Sequence, residues 1–566
     1  MPEPVFQLLP QWHSQPAKLR IICAGAGAAG LLIAYKLQKN LTNYDLICFD
    51  KNPSITGTWF ENRYPGCACD VPAHAYTYPF EPNPDWSSFY ATGPEIRRYF
   101  ESFAEKYNLH PYIKTNSRIL SATWVEEKGI YEIIIDRDGE IIHDWCHVFI
   151  NGTGFLNNWK WPSIPGLHDF SGKMMHTANW DNSVDWKDKT IAVIGNGSSG
   201  IQIIPELQPT AKHLTCFMRS STWIAPPLGE VKIGHDEKGN QPDDAKSAPT
   251  GQYHYTEEEK KRFRDDPEFL LQYRQSLDSK ANLFFDVFIR DSEMSHFGRK
   301  MMKEEIEKRL GPGHEDLKVQ MIPEWAPGCR RITPGPGYLE ALVQPNVTIA
   351  QNTIQRIVPD GLIDGDGKHY KVDMIVCATG FDLAFAPNFK VSGVNSAIMA
   401  DEFNPEPKVY LAVTVPKFPN YFIVNGPRGN WGAGSALPSH DVQVDYIIKC
   451  IKRMQQENIR ALEVKPKPID DLYEYIDEWH KGSVWSDNCS SWYKNNIIDG
   501  KVWIWGGSSL HYMKTMKEVR WEHYDIRYKS DNMWAFLGNG RVEAEVLKDT
   551  SRLAPYMRIG DVPWEI

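Results

Sequence analysis

The run "KLRIICAGAGAAGLLIAYKLQ" constrains this chain more than any other. An apolar stretch, Leu19 to Cys23, enters Gly25-x-Gly27-x-x-Gly30 and continues into Leu31, Leu32, Ala34 and Leu37 at helical spacing. Strand, glycine turn and helix in that order are what a dinucleotide-binding turn demands. Gly25 makes the tight turn, Gly27 lets backbone approach a pyrophosphate, and Gly30 lets the helix pack on the strand, with the helix N-terminus facing the phosphate charge. The next strand, "DLICFD", ends on Asp50, twenty residues past Gly30, where a carboxylate accepts hydrogen bonds from ribose hydroxyls.

The pattern returns in "KTIAVIGNGSSGIQIIPELQ": a strand to Ile194, then Gly195-x-Gly197-x-x-Gly200, then a helix that Pro205 is expected to kink or shorten. Ser198, Ser199 and Gln202 at its start are candidate contacts to the second nucleotide. Here the following strand, "HLTCFMRS", ends on Arg219, nineteen residues past Gly200. A guanidinium at that place suits a 2′-phosphate, which an acid would repel. The two units therefore ask for two different nucleotides, one with a free ribose diol and one that is NADP. A glycan on the Asn196-Gly-Ser198 sequon would fill the phosphate site, so the sequon is discounted.

A chain with two such sites passes a hydride between them, and the natural acceptor is a flavin. FAD in the first unit and NADPH in the second are the expected cofactors. "DMIVCATGFD" adds an apolar strand entering a small-residue turn, which makes Thr379 and Gly380 candidate flavin contacts.

Length and composition narrow the partners. With 566 residues, two or three domains are expected. A formal net charge of -10 opposes nucleic acid and anionic lipid, and there is no apolar run long enough to span a membrane. The N-terminal stretch lacks a basic start followed by an apolar core, so a cytoplasmic location is expected, as a monomer or weak homo-oligomer. The ten cysteines have neither zinc-site spacing nor that of a small disulfide scaffold, and no metal is expected. Cys67 and Cys69 are too close for a Cys-x-x-Cys redox pair.

From "TGTWFENRYPGCACDVPAHAYTYPF" onward the chain resembles the flavin-dependent Baeyer-Villiger monooxygenases, class B flavoprotein monooxygenases that include fungal members. The pattern is carried by Gly57, Trp59, Tyr64, Pro65, Gly66 and Asp70. Thr56 stands where alanine or glycine is usual, and Asp50 where a glutamate is frequent. "FSGKMMHTANWD" supplies the family fingerprint in Phe170, Gly172, His176, Trp180 and Asp181. The resemblance implies insertion of one oxygen atom of O2 beside a ketone carbonyl, through a C4a-peroxyflavin, to give an ester or lactone. It implies Thr58, Trp59, Asp70 and Tyr76 as further flavin contacts. The fingerprint is expected as a linker between the flavin and NADP halves. Phe170 and Trp180 would anchor it by packing, Gly172 would permit its turn, and His176 would hold it by hydrogen bonds without taking part in the chemistry.

Such chemistry needs a fixed cation where negative charge develops. In "WAPGCRRITPGPGYLEAL", the resemblance makes Arg331 that cation, held by Asp70, and gives Arg330 a place with Arg219 on the NADP phosphate. Arginine suits the post because it keeps its proton. Trp492 matches an aromatic on a mobile loop that touches NADP and substrate.

The expected fold is α/β, with two Rossmann-like dinucleotide-binding domains (FAD and NADP) and an inserted helical subdomain. The boundaries are 1–161 and 377–566 for the split flavin domain, the latter with substrate-cavity loops; 162–226 and 321–376 for the NADP domain; and 227–320 for the helical insertion. The polar run from Ile233 to Gln252 is expected as a mobile loop. Rival readings are a flavin monooxygenase acting on nitrogen or sulfur, an uncoupled NADPH oxidase, a pyridine-nucleotide disulfide reductase, and an NADP-binding redox sensor without turnover. Natural-product tailoring and simple ketone oxidation both fit the motifs.

Overall fold

The structure is a computed structural model that describes residues 6–226, 252–383 and 385–565. The run expected as a mobile loop lies, but for Gln252, outside the described residues.

Two parallel sheets organise the chain. Their strands are β1 (Leu19–Ala24), β2 (Tyr44–Phe49), β3 (Ile113–Lys114), β4 (Val148–Asn151), β5 (Lys173–His176), β6 (Thr190–Ile194), β7 (His213–Phe217), β8 (Val347–Ala350), β9 (Met374–Cys377) and β10 (Tyr421–Ile423). The first sheet runs β10-β4-β1-β2-β3 and the second β8-β7-β6-β9-β5, all neighbours parallel. Read from opposite ends, four strands of the two orders correspond, and one edge strand differs, β10 coming last in the chain order of its sheet and β5 first in that of its own. β1 and β6, the strands that enter the glycine turns, hold the same central place, and both are continuous apolar runs because both faces are covered.

Helices α1 (Ala28–Asn40) and α2 (Ser198–Leu207) follow the two turns. Pro205 falls in the last turn of α2, where the helix runs on through it to Leu207. The insertion is helical, as expected: α3 (Glu257–Asp265), α4 (Pro267–Leu283), α5 (Glu293–Leu310) and α6 (Glu315–Met321). Its starts are written in the sequence: Thr256 and Glu259 form a capping box, and Asp266 and Ser292 each accept a backbone N–H of the next helix. A four-stranded sheet, order 390–392, 117–125, 130–137 and 140–146, closes a second core against the first parallel sheet. α7 (Leu437–Gln456) lies on α1, fastened by the buried Lys36, which reaches Asp441 at 2.7 Å and Asp445 at 2.6 Å.

The fingerprint stretch is less of a linker than expected. Its centre is β5, an edge strand of the second sheet paired in parallel with β9. Phe170 packs on the core beneath that sheet, and Trp180 is buried at 2% exposure. Gly172 does not serve a left-handed turn. It is required for space, since a Cβ there would stand 2.5 Å from the Asp373 carbonyl oxygen.

Candidate active site

The first glycine turn is built by close approach. Gly25 sits at φ +98°, and a Cβ on it would stand 2.8 Å from the Gly152 carbonyl oxygen; Gly195 repeats this at φ +108°, 2.4 Å from that of Ala378. A Cβ on Gly30 would meet the Gly25 carbonyl at 2.0 Å, and one on Gly200 that of Gly195 at 2.2 Å, so both third glycines serve packing. Gly27 and Gly197 differ. They precede α1 and α2 without any side-chain cap, which leaves the first helical N–H groups for a ligand, and a Cβ on Gly197 would meet no protein atom within 4 Å. Both turns thus have the shape of a phosphate cradle.

Beside the first turn lies a cavity of about 480 Å³, lined by Gly25, Gly27, Asp50, Thr58, Trp59, Asp70 and Tyr76 among the expected flavin contacts, and by Ser198, Ser199, Gln202, Arg331 and Trp492 from the second set. Asp50 binds the Ala26 N–H (2.7 Å) and the Asn52 N–H (2.8 Å), so it locks the glycine turn while it faces the cavity; burial pushes its carboxyl upward. The Trp59 indole donates to the Tyr76 hydroxyl at 3.3 Å.

Two expectations need correction. Thr379 and Gly380 do not line this cavity. They follow β9 of the second sheet, and the Thr379 hydroxyl meets the His176 ring at 3.2 Å. The matching turn on the flavin side is Gly152-Thr153-Gly154-Phe155 after β4, which does line the cavity. The sequence carries the signal as a repeat, "GTGF" at 152 and "ATGF" at 378. Gln202 is also committed elsewhere: its carbonyl accepts from the Tyr64 hydroxyl (2.6 Å) and its amide donates to the Ala68 carbonyl (2.9 Å). It docks α2 onto the loop that carries Asp70.

Asp70 and Arg331 meet in a forked pair, Nε to Oδ2 and Nη2 to Oδ1, both at 2.8 Å. Burial works against the guanidinium charge, but the Asp70 carboxylate and the Tyr493 hydroxyl outweigh it and raise the arginine pKa above its ordinary value. This cation stays charged at any working pH. Tyr493 was not foreseen, because nothing local in "SWYKNN" points at residue 331.

Arg330 turns away from the cavity. It donates to the Ser490 carbonyl at 2.7 Å and lies over the Trp325 ring. Burial and the neighbouring charge of Arg219 lower its pKa, and neither arginine is in an ion pair among the described residues. Two neighbouring cations without an anionic partner among the described residues are the arrangement a phosphate completes. Trp492 packs on Phe155, 5.5 Å between centroids, and joins the two sides of the cavity.

His176 is stacked on Trp159 and accepts the Ala178 N–H through Nδ1 at 3.1 Å, and burial lowers its pKa to about 4. It is a neutral strut. Asp181 pairs with Lys173 at 2.8 Å and caps Ser183. Cys67 and Cys69 are buried thiols, Cys67 pushed up to about 11, which removes the disulfide-reductase reading. Cys329 and Cys489, 160 residues apart, are bonded, a pairing that the spacing of the ten cysteines does not signal.

Fold and site together define a flavoprotein of the two-dinucleotide monooxygenase class. The flavin-binding monooxygenase-like family model matches residues 18–233. An FAD-binding monooxygenase of Aspergillus terreus, tazF, is 39% identical over 94% of both chains, and a Baeyer-Villiger monooxygenase of Pseudomonas aeruginosa is 31% identical over 90% of this chain and 91% of its own. The solved structure of cyclohexanone monooxygenase from Rhodococcus bound to NADP+ superposes with a TM-score of 0.76, at 23% identity, over 91% of this chain and 100% of that one. The chain belongs to the flavin-dependent Baeyer-Villiger monooxygenase family.

Proposed function

We propose that the protein binds FAD and NADPH and uses O2 to convert a ketone to an ester or lactone. The observation that carries this reading is the forked Asp70–Arg331 pair on the wall of the cavity beside the first glycine turn. Enzymes that oxidise soft nitrogen or sulfur have no need of a fixed cation there.

FAD fits the first unit: the uncapped start of α1 and Gly27 would hold its pyrophosphate and Asp50 its ribose, with Trp59 and Tyr76 also on the cavity wall. NADPH fits the second, where the start of α2 would hold its diphosphate and Arg219 and Arg330 its 2′-phosphate. When bound, reduced flavin supplies the electrons that activate O2. The chain's own contribution is electrostatic. Asp70 takes one edge of the guanidinium, and the N–H groups left over on the cavity wall would stabilise the oxyanion that forms as the carbonyl is attacked. Because Asp70 and Tyr493 fix the plane of Arg331 beforehand, little reorganisation is needed at that moment.

The test is turnover of the flavin-loaded protein with NADPH, ¹⁸O₂ and a panel of cyclic and aryl ketones. One heavy oxygen in an ester product supports the reading. NADPH consumption matched by hydrogen peroxide across the whole panel would sink it in favour of an oxidase.

A further inference from the structure

The bond between Cys329 and Cys489 has no part in the reaction proposed above. It joins residues 160 apart with 6.3 Å between their Cα atoms. The other eight cysteines are buried and unbonded, and extended apolar clusters fill the interior, so the fold does not depend on bridges for its core. A single bridge in such a chain invites a question about its position.

Cys329 immediately precedes Arg330 and Arg331. Cys489 opens the loop that carries Trp492 and Tyr493. The two segments are laid together by hydrogen bonds on both sides of the bridge: Ala326 N–H to the Asp487 carboxylate at 2.7 Å, and Arg330 Nε to the Ser490 carbonyl at 2.7 Å. Tyr493 reaches Arg331 beyond them. Inside the loop, Lys494 Nζ ties the Asp487 and Ile498 carbonyls at 2.6 Å each, which makes it a compact unit. Its outer edge is exposed, with Ile497 at 59% and Ile498 at 48%. The polar links between this unit and the arginine segment are hydrogen bonds, Phe288 packs between them, and the bridge is the covalent link.

We infer that Cys329 and Cys489 form a redox-sensitive latch on the Trp492–Tyr493 loop. Oxidised, the pair pins the loop to the arginine segment; reduced, it lets the loop lift. The consequence for NADP+ exchange rests on the reading of Arg330 and Trp492 as the nucleotide side. Closure is a two-electron oxidation in which both thiols lose their hydrogens to a hydroperoxide, with hydrogen peroxide giving one S–S bond and two waters. Opening is thiol–disulfide exchange: a dithiol's thiolate attacks one sulfur, its second thiol resolves the mixed disulfide, and both cysteines leave as thiols. The two sulfurs are buried, so each reaction requires a local opening that exposes them: a lift of the free loop for closure, and a transient opening of the chain packed around the bridge for its reduction.

The experiment uses the flavin-loaded full chain. Alkylation in denaturant without reductant, followed by peptide mass spectrometry, is expected to give one crosslinked pair containing residues 329 and 489 and eight alkylated cysteines. Ten free thiols, persisting after treatment with hydrogen peroxide or glutathione disulfide, overturn the inference. Hydrogen exchange is then followed over residues 484–499 in oxidised protein, dithiothreitol-treated protein and Cys489→Ser. The expected result is exchange about tenfold faster in the last two, and equal rates overturn the latch even where the bridge is present. Reduced wild type carries the test if the variant folds poorly. NADP+ release measured by stopped flow should accelerate in parallel. A chain that binds no NADP+ at all refutes the nucleotide assignment, while hydrogen exchange still decides the latch.

Discussion

Two glycines of one motif, three residues apart, should fail in opposite ways when a single methyl group is added. At Gly200 the added Cβ would stand 2.2 Å from the Gly195 carbonyl oxygen, over 1 Å inside ordinary contact. That atom belongs to a turn held at φ +108° by Ala378, so neither side yields without moving β6 or α2. Overpacking of this kind costs about 1–3 kcal/mol. At Gly197 the backbone is ordinary, φ -76°, and the new Cβ would meet no protein atom within 4 Å. A poorer helix cap and a stiffer unfolded chain nearly cancel there, leaving stability within about 1 kcal/mol of wild type. What the Gly197 methyl does fill is the space above the uncapped N–H groups of α2. Loss of one charge-assisted contact there is worth about 2 kcal/mol, roughly a thirtyfold weaker NADPH Kd. Denaturant unfolding of Gly200→Ala and Gly197→Ala, each with an NADP+ titration, separates the two effects. If Gly197→Ala loses as much stability as Gly200→Ala and binds nucleotide normally, the second turn is not a phosphate cradle.

Three further outcomes follow from the same geometry. Arg331→Ala should leave NADPH-driven flavin reduction largely intact and abolish ester formation, and an ester yield unchanged per NADPH would remove Arg331 from its role. Arg219→Ala should weaken NADPH relative to NADH by on the order of 2 kcal/mol, read by comparative titration; equal losses for both would assign the 2′-phosphate elsewhere. His74 is buried among Tyr255, Phe263 and Tyr273 with neither ring nitrogen hydrogen-bonded, and burial lowers its pKa from 6.5 to about 3. The fold prefers the neutral ring, so its contribution is complete above pH 6.5 and is lost as pH falls toward 3, about 2 kcal/mol of it between pH 6.5 and 5. His74→Phe should flatten that part of the stability profile measured by urea unfolding, and an unchanged slope would show that the ring is protonated in the fold.

What could be read from the sequence was what is local. Each glycine turn, its strand and its helix are contiguous, and a backbone that must double back within six residues leaves few residue types free. The helical insertion was equally legible because its charged and apolar residues alternate at helical spacing, a signal carried within each helix. Neighbour relations were not legible. "ATGF" at 378 was assigned to the flavin because it follows an apolar strand, yet whether that strand joins the first sheet or the second is decided by pairing with β6, far away in the chain. The same holds for Gln202, whose partner Tyr64 is 138 residues away, and for the bond between Cys329 and Cys489. The linker reading of residues 170–181 underestimated β5 because four residues are too few to show a strand period without a neighbour.

The two partners of the forked pair lie 261 residues apart in the chain. Asp70 sits in the loop after the first glycine unit, and Arg331 in the segment that follows the insertion and pairs, at Thr333, with Ile224 beyond β7. The loop bearing Asp70 is itself seated on α2 through Tyr64 and Gln202. The charge arrangement is therefore a logical conjunction that exists only while both halves are seated together. Breaking the Tyr64–Gln202 contact would unseat Asp70 from Arg331 while leaving both charged residues unaltered.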